Sequence, residues 1–588
     1  MTAHNCENVL AKLAIEGPFV DSDCKDPQSH SASTSSSLAG DLGFDFEALD
    51  VLDETAVPEL RLPMMTDAAM GHNFEALPQL DRLSPGGPLK STKSVGFELA
   101  VPLPESPLRS RSVPNHWRIR AQLEPPTPLR RCRSAHAGGL GFCPCSLSSI
   151  ATSPQSDGFA EDLEILPTER GLRVGVVVSG SRGDVQPHVA LALDLRSLGH
   201  QVRIFTNSNH AALCARHGVE MVPVFADSQA CIERIGGVSG DTLLASLRSV
   251  SRAQRAAKVW FEDHPGKCTA LEDALEDFAP EALLTSNEAC AAAVRYEKLT
   301  GTPTIFACFF RAMMDFQSSM LQMQPPRPAF LAASRLLDEE ASLMESDSCL
   351  VQTGPWVLED QPTQKELAEG DLARLRDFLD AGSAPVAVCW GSMIPEGMEP
   401  QSMLRLALEA LQLMPRRGVV VGGYARLHEL GDRLLNGDLV DEGWNELAEF
   451  ARSSVCFVAD VPHTWLLPHC SCLVHHGGAG TVQTALRAEV PSVVTPIFVD
   501  QFDNARAVSR LRAGVGFEEP LSKVSASQLA EAIAAAELQQ PEAARLGEGL
   551  RSSGGSKEAA AQLDAFLREE VSEGHFARQV ADVRRKSL

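Results

Sequence analysis

From Leu172 onward, short apolar runs alternate with longer stretches of helical periodicity. "LRVGVVVSG" (172–180) is rich in β-branched residues and closed by glycine, the composition of a buried strand. "DVQPHVALALDLRSLG" (184–199) repeats apolar positions at helical spacing and stops at Gly199. "QVRIFT" (201–206) predicts a second strand, a short helix runs to His217, and "VEMVPV" (219–224) predicts a third strand. This βαβαβ start predicts a parallel sheet with crossover helices. "EALLTS" (281–286) and "TPTIFACFF" (302–310) add two strands, and then the pattern breaks. "QMQPPRPAF" (322–330) is proline-rich, and "TGPWVLEDQPTQ" (353–364) reads as an inter-domain connection. The alternation restarts at Pro385 with "APVAVCWGSM" (384–393), a helix through Leu413, "RGVVVGG" (417–423), "SVCFVAD" (454–460), "CSCLVHHGG" (470–478), a helix through Ala488 and "PSVVTP" (491–496). Two α/β units in series predict two Rossmann-like domains, 170–360 and 375–545, facing each other across a cleft. A ligand is expected at the carboxyl ends of the strands. "SKEAAAQLDAFLREEV" (556–571) is an amphipathic helix within a tail, 546–588, expected to pack on the body.

Residues 1–165 lack any sustained period. Clusters such as "SHSASTSSSLAG" and "LEPPTPLRRCRSAHAGG" cannot bury enough surface to offset their ordering entropy, so this region is expected to be disordered. Two islands stand out within it: the acidic and apolar "DLGFDFEALDVLDE" (41–54), and a basic stretch containing Arg109, Arg111, Arg118, Arg120, Arg130, Arg131 and Arg133.

Charge and cysteine content narrow the chemistry. A net charge of -25 argues against nucleic acid as a partner, because no excess of Lys and Arg is available to displace counterions from phosphates. The N-terminus does not resemble a signal peptide, and no window reaches the roughly 18 apolar residues of a membrane span. The 15 cysteines are odd in number and irregular in spacing. Cys143/Cys145 and Cys470/Cys472 stand one residue apart, too close for the usual zinc spacing. Free thiols and a cytoplasmic location are therefore expected.

Two stretches carry candidate chemistry. In "SGSRGDVQPHVA" (179–190), Gly180 and Gly183 permit a tight strand-to-helix turn, which sets Asp184 at the helix start. There its carboxylate serves as a helix cap or projects into the crevice above the sheet as a catalytic group; both readings stand. In "HHGGAGT" (475–481) three glycines within four residues follow a strand and open a helix. The glycines let backbone amides crowd an anion and the helix N-terminus adds partial positive charge, which is the chemistry of a diphosphate site. Neighbouring histidines point in divergent directions and no further ligand lies at metal spacing, so no metal is expected.

"GSRGDVQPHVALALDLRSLGHQVRIFT" and "VPHTWLLPHCSCLVHHGGAGTVQTALRAEVPSVVTPIFVDQFDNA" together resemble the two signatures of sterol 3-β-glucosyltransferases and related antibiotic glycosyltransferases. "QTGPWVLED", "PVAVCWGSM" and "RGVVVGGYARL" fall in the same order, and the resemblance runs over residues 172–540. It implies a GT-B fold and inverting, metal-independent, cofactor-free transfer of a sugar, usually glucose, from a UDP-sugar. It makes Asp184 the candidate base, with Ser181 near the donor phosphates. His475 takes the place of the histidine on the donor phosphate, while His476 and the amides of Gly478, Ala479, Gly480 and Thr481 complete the cradle. Asp500 and Gln501 match the pair that holds the sugar hydroxyls, Gly391 and Ser392 the loop facing the phosphates, and Trp465 the uracil site.

Two departures from the family pattern stand out. Family members carry a longer stretch between Phe310 and "QTGPW", where roughly forty residues intervene here, and Glu489 stands where they commonly have glycine. A lipophilic acceptor such as a sterol, reached by peripheral contact with a membrane, is the expected partner. "FFRAMMDFQSSMLQM" (309–323) reads either as its apolar wall or as an ordinary core helix. A non-catalytic nucleotide-sugar-binding protein and an enzyme for a polar natural product are the alternatives.

Overall fold

The computed structural model describes residues 170–286, 289–310, 324–337, 349–439 and 443–587. From Gly171 onward they lie in one compact unit. The expectations for residues 1–165 and for 311–323 fall outside the described residues.

The first sheet contains β1 (Arg173–Val177), β2 (Gln201–Asn207), β3 (Glu220–Phe225), β4 (Ala282–Thr285), β5 (Thr304–Cys308), β6 (Ala329–Leu331) and β7 (Leu350–Gln352). Every neighbouring pair is parallel, in the spatial order β3-β2-β1-β4-β5-β6-β7. β4 and β5 are buried at every position, as strands covered by helices on both faces must be. The strand order reverses between β1 and β4, so the loop after β1 opens into a crevice at the carboxyl edge of the sheet. The proline-rich break is shorter than its composition implies. Its last two residues, Ala329 and Phe330, already belong to β6, because pairing resumes once the backbone regains its N–H donors after Pro328.

The second sheet contains β8 (Val386–Cys389), β9 (Gly418–Val421), β10 (Val455–Val458), β11 (Cys472–His475), β12 (Ser492–Val494) and β13 (Gly514–Gly516), all parallel, in the order β10-β9-β8-β11-β12-β13. Its topology repeats that of the first six strands of the first sheet, with no counterpart of β7. Trp390, Met403, Leu404, Leu411 and Phe457 are among the side chains packed between this sheet and its helices.

Three chain segments are among the connections between the two domains. The segment after β7 carries Trp356, which is buried edge-on against Phe309 and His188 and donates from Nε1 to Thr353 Oγ1 at 2.9 Å. A glycine-flanked strap at 236–240 lies against the second domain like a short added strand. The Val238 amide donates to Ile394 O (2.9 Å), the Glu396 amide to Val238 O (2.9 Å) and the Gly240 amide to Ile497 O (3.2 Å). A methyl group on Gly240 would stand 2.5 Å from Phe498 Cδ2, so only glycine allows this approach.

The third connection is the C-terminal tail. Helix Gly555–Phe566 crosses back to pack along α1 (Arg182–Ser197) of the first domain. His200 marks the junction. Its Nδ1 accepts from the Leu172 amide (3.2 Å), which leaves the proton on Nε2 to donate to Asp564 Oδ1 (2.8 Å).

Candidate active site

The turn after β1 delivers Asp184. Ser181 caps α1 and Asp184 is the third helical residue, so the carboxylate is the far member of a capping box rather than the cap itself. Its Oδ2 accepts from the Ser181 amide (2.8 Å) and from Ser181 Oγ (3.1 Å). Gly180 has φ +136°, and a methyl group there would lie 2.4 Å from Asp184 Oδ2. The glycine therefore clears the space that the carboxylate occupies. One turn on, His188 is fully buried. Its Nδ1 bonds the Asp184 carbonyl (2.8 Å), Nε2 has no partner among the described residues, and burial pulls its pKa down to about 4.

The second domain supplies the other wall. β11 ends at His475, which is wholly buried. The Gly477 amide donates to His475 Nδ1 (3.1 Å), so the proton sits on Nε2, a buried donor without a partner among the described residues. Burial and the neighbouring His476 and His463 hold its pKa well below the usual value. His476 is half-buried and also neutral, lowered to about 4 by burial and by His463. Its ring sits between two glycines. A methyl group on Gly478 would meet His476 Nε2 at 2.6 Å, and one on Gly391 (φ +58°) would meet Cε1 at 3.3 Å. Gly478 is thus required by the position of the histidine ring.

Helix α2 (Ala479–Arg487) begins at Gly478 with no side-chain cap, so its first-turn N–H groups carry the partial positive charge of the helix end unneutralised by a side chain. Thr481 lies in that turn, and Gly480 faces open space. Gly477 is forced by its φ of +95° and by Val494 Cγ1, 2.6 Å from where a methyl group would be.

Helix α3 (Asp500–Arg510) follows Val499, a non-glycine residue at φ +38°. Asp500 is half-buried, and burial together with the charge of Asp184 from the opposite domain raises its pKa to about 7. Asn504 Nδ2 ties Asp500 Oδ2 (3.2 Å) to the Gly477 carbonyl (2.8 Å). Gln501 is buried, with its Oε1 accepting from the Ile497 and Phe498 amides, both at 2.9 Å. It shapes the loop, and only its amide nitrogen is left to reach a ligand. Ser392 shares the half-buried loop of Gly391. Trp465 is half-buried in helix His463–Leu466, packed beside the core with its ring 5.5 Å from His469.

The fold thus brings Ser181, Asp184, Asp500, Gly391, His476 and the start of α2 toward one cleft, and sets His475 behind its surface. Sequence reading passed over four contributors. Arg182 reaches Asp460 of the other domain at 2.5 Å, His463 sits among these charges with its pKa lowered to about 4, Asn504 holds Asp500, and Tyr424 spans the domains. Arg182 and Tyr424 act through contacts far away in sequence. Only Asn504 carried a local signal, its position one helical turn after Asp500. Glu489 does adopt the left-handed conformation its place implied, with φ +64°, and pairs with Arg551 at 2.6 Å.

Two facing Rossmann-like domains with such a cleft define the GT-B architecture. Residues 174–270 match the model of the glycosyltransferase family 28 N-terminal domain, and residues 440–564 that of the erythromycin biosynthesis protein CIII-like C-terminal domain. A sterol 3-beta-glucosyltransferase of Arabidopsis thaliana is 26% identical over 379 residues, 56% of this chain and 57% of that protein. The vancomycin aglycone glucosyltransferase of Amycolatopsis orientalis is 26% identical over 451 residues, 68% of this chain and 98% of that one. A solved spinosyn rhamnosyltransferase aligns over 67% of this chain at 17% identity with a TM-score of 0.48. The chain is related to the sterol 3-beta-glucosyltransferases and antibiotic glycosyltransferases of GT-B fold. It spans little more than half the length of the Arabidopsis relative. Among the described residues no helix is long and apolar enough to cross a membrane.

Proposed function

We propose that this protein transfers a hexose, glucose first among candidates, from a UDP-sugar to a hydroxyl of a sterol or other lipophilic acceptor, with inversion and without a metal. One observation carries the reading: a carboxylate pre-set by its capping box on one domain stands opposite an uncapped helix N-terminus and neutral histidines on the other. In the proposed step the acceptor hydroxyl gives its proton to Asp184 as its oxygen attacks the anomeric carbon. The bond to the β-phosphate oxygen breaks on the opposite face, and UDP leaves with the bonding electrons. The charge that grows on UDP meets the first-turn amides of α2 and the His476 ring, donors already in place before reaction. Asp500 is assigned the sugar hydroxyls.

The test is mass-spectrometric product detection with UDP-glucose and a mixed panel of sterols, other lipids and polar aglycones. The expected product is a lipid heavier by one hexose, and Asp184→Asn should lower its rate by roughly 10²–10⁴-fold. A polar product instead would redirect the acceptor assignment, and near-full activity in the variant would remove Asp184 from the role.

A second reading, a non-catalytic nucleotide-sugar-binding protein, is favoured by one fact: Asp184 Oδ2 is already engaged by Ser181. Both readings expect UDP to raise the melting temperature. Only the first expects transfer or slow UDP-sugar hydrolysis.

A further inference from the structure

The chain holds two tyrosines, and one of them lies at the domain junction. Tyr424 follows Gly422 and Gly423 after β9 of the second domain, yet its hydroxyl sits in the first domain, 3.0 Å from Ser228 Oγ and 3.3 Å from Asn209 Nδ2. These partners are themselves fixed. Asn209 Oδ1 accepts from the Ser228 amide (3.1 Å), and its Nδ2 also reaches Ser228 Oγ (3.1 Å). Burial pushes the Tyr424 phenol up to about 12, so it stays a neutral hydroxyl throughout the working pH range.

Both ends of this contact continue into the cleft. On the first domain, Asn209 belongs to a four-residue stretch that grips the turn bearing Asp184. Asn207 Oδ1 accepts from the Gly180 amide (2.8 Å) and His210 Nε2 bonds the Gly180 carbonyl (3.0 Å). Gly180 in turn is packed against the Asp184 carboxylate. On the second domain, the Tyr424 amide donates to Gly391 O (2.8 Å), and Gly423 at φ +58° leaves no room for a methyl group, which would lie 2.3 Å from the same oxygen. The His476 ring then lies beside Gly391, 3.3 Å from where a methyl group on that glycine would be. Two other cross-domain ties among the described residues do not join these two loops, although Arg182 itself lies on the Asp184 turn. Arg182–Asp460 is solvent-exposed, and the 236–240 strap meets the loops at Ile394 and Ile497.

We propose that Tyr424, through Asn209 and Ser228, is a positioning residue that sets the Asp184 turn at its working distance from the Gly391–His476 phosphate loop. The proposal rests on the transferase reading above. A shared tether predicts a particular defect. Without it each domain keeps its own ligand site, but base and donor lose their common register, and orientation is what carries such reactions.

The experiment uses the full chain and the variants Tyr424→Phe, Asn209→Ala and the double variant. UDP affinity should stay within about twofold, while kcat for transfer falls about tenfold and hydrolysis takes a larger share of UDP-glucose turnover. The double variant should be no worse than the more damaged single one, because one tether is cut in either place. Unchanged kcat and partition would overturn the proposal. So would an equal loss of UDP affinity and kcat, the mark of general structural damage, or additive losses in the double variant. Labelling with 3-fluorotyrosine yields two fluorine resonances, one of which disappears in Tyr424→Phe. Asn209→Ala must move that resonance; if it does not, the tether is wrong whether or not the protein transfers sugar. A wild-type protein whose resonance moves as expected but which yields no product would count against the transferase reading alone.

Discussion

Asp500→Asn is nearly isosteric and removes one charge from a half-buried position that also feels Asp184. The carboxyl has its pKa raised from an ordinary 3.8 to about 7, by burial first and the Asp184 charge second. The folded protein therefore holds this proton more tightly than the unfolded chain does. Stability linked to it is fully present below about pH 4 and is lost as pH rises to about 7. Each tenfold difference in proton affinity is worth about 1.4 kcal/mol, so a roughly thousandfold difference sets a ceiling near 4 kcal/mol. Water at a half-buried carboxyl reduces that to about 2 kcal/mol. Asparagine carries no such penalty, and its side-chain oxygen can still accept from Asn504 Nδ2, the 3.2 Å bond of the wild type. The variant should melt above the wild type by about 4 °C at pH 8, by less at pH 5, and by nothing further beyond pH 8. Differential scanning calorimetry or dye-monitored melting across pH 5–9 measures this directly. Asp184→Asn should shift the same pH midpoint downward by removing the second cause. A loss at pH 8 would show that the ionised carboxylate is stabilised in the fold, and a gain that does not vary with pH would show that its ionisation plays no part; either result would refute the reasoning.

Sugar hydroxyls donating to Asp500 would favour its ionised form, so UDP-glucose binding near pH 6.5 should release a fraction of a proton that UDP binding does not. Calorimetry in buffers of different ionisation enthalpy measures the difference, and equal release by both ligands would take Asp500 away from the sugar. Gly477→Ala puts a methyl group 2.6 Å from Val494 Cγ1 at φ +95°, which should cost about 2 kcal/mol and weaken UDP binding. Gly480→Ala, in open space within the protein, should melt like the wild type yet still bind UDP less well. Glu489→Gly relieves a side chain held at φ +64° and loses only an exposed pair with Arg551, so it should raise stability by about 1 kcal/mol in denaturant titration.

The two parallel sheets were legible because their strands are buried on both faces and so appear as unbroken apolar runs, of which "RVGVV" and "CLVH" are examples. β6 and β7 were not, since strands of three residues, the first of them beside a proline cluster, carry too little pattern to separate from a loop. The strap at 236–240 was invisible for another reason. "GGVSG" reads as a turn, and what makes it pair is backbone more than 150 residues away, at Ile394 and Ile497. The same holds for Arg182 and Tyr424, whose partners lie 278 and 196 residues off. Local chemistry marked the two ends of the candidate site, but not the contacts that set the distance between them.

Asp184 shows why a competition between capping and catalysis is the wrong frame. A capping box turns the third helical side chain back toward the cap, which here is the end of β1 and the mouth of the crevice. Ser181 Oγ accepts from the Gly183 amide at the helix end (3.2 Å), and the same residue donates from its amide and its Oγ to the Asp184 carboxylate, which keeps that carboxylate from rotating away. For the proposed base, restraint is an advantage, because a proton acceptor held in place has less orientational freedom to lose as the transition state forms. Replacing Ser181 with alanine separates the two contributions. The helix should lose about 1 kcal/mol of capping, the usual worth of such a residue. Turnover should fall further than that stability change accounts for, with UDP affinity retained. A turnover loss no larger than the change in folded fraction would leave Ser181 as a cap alone.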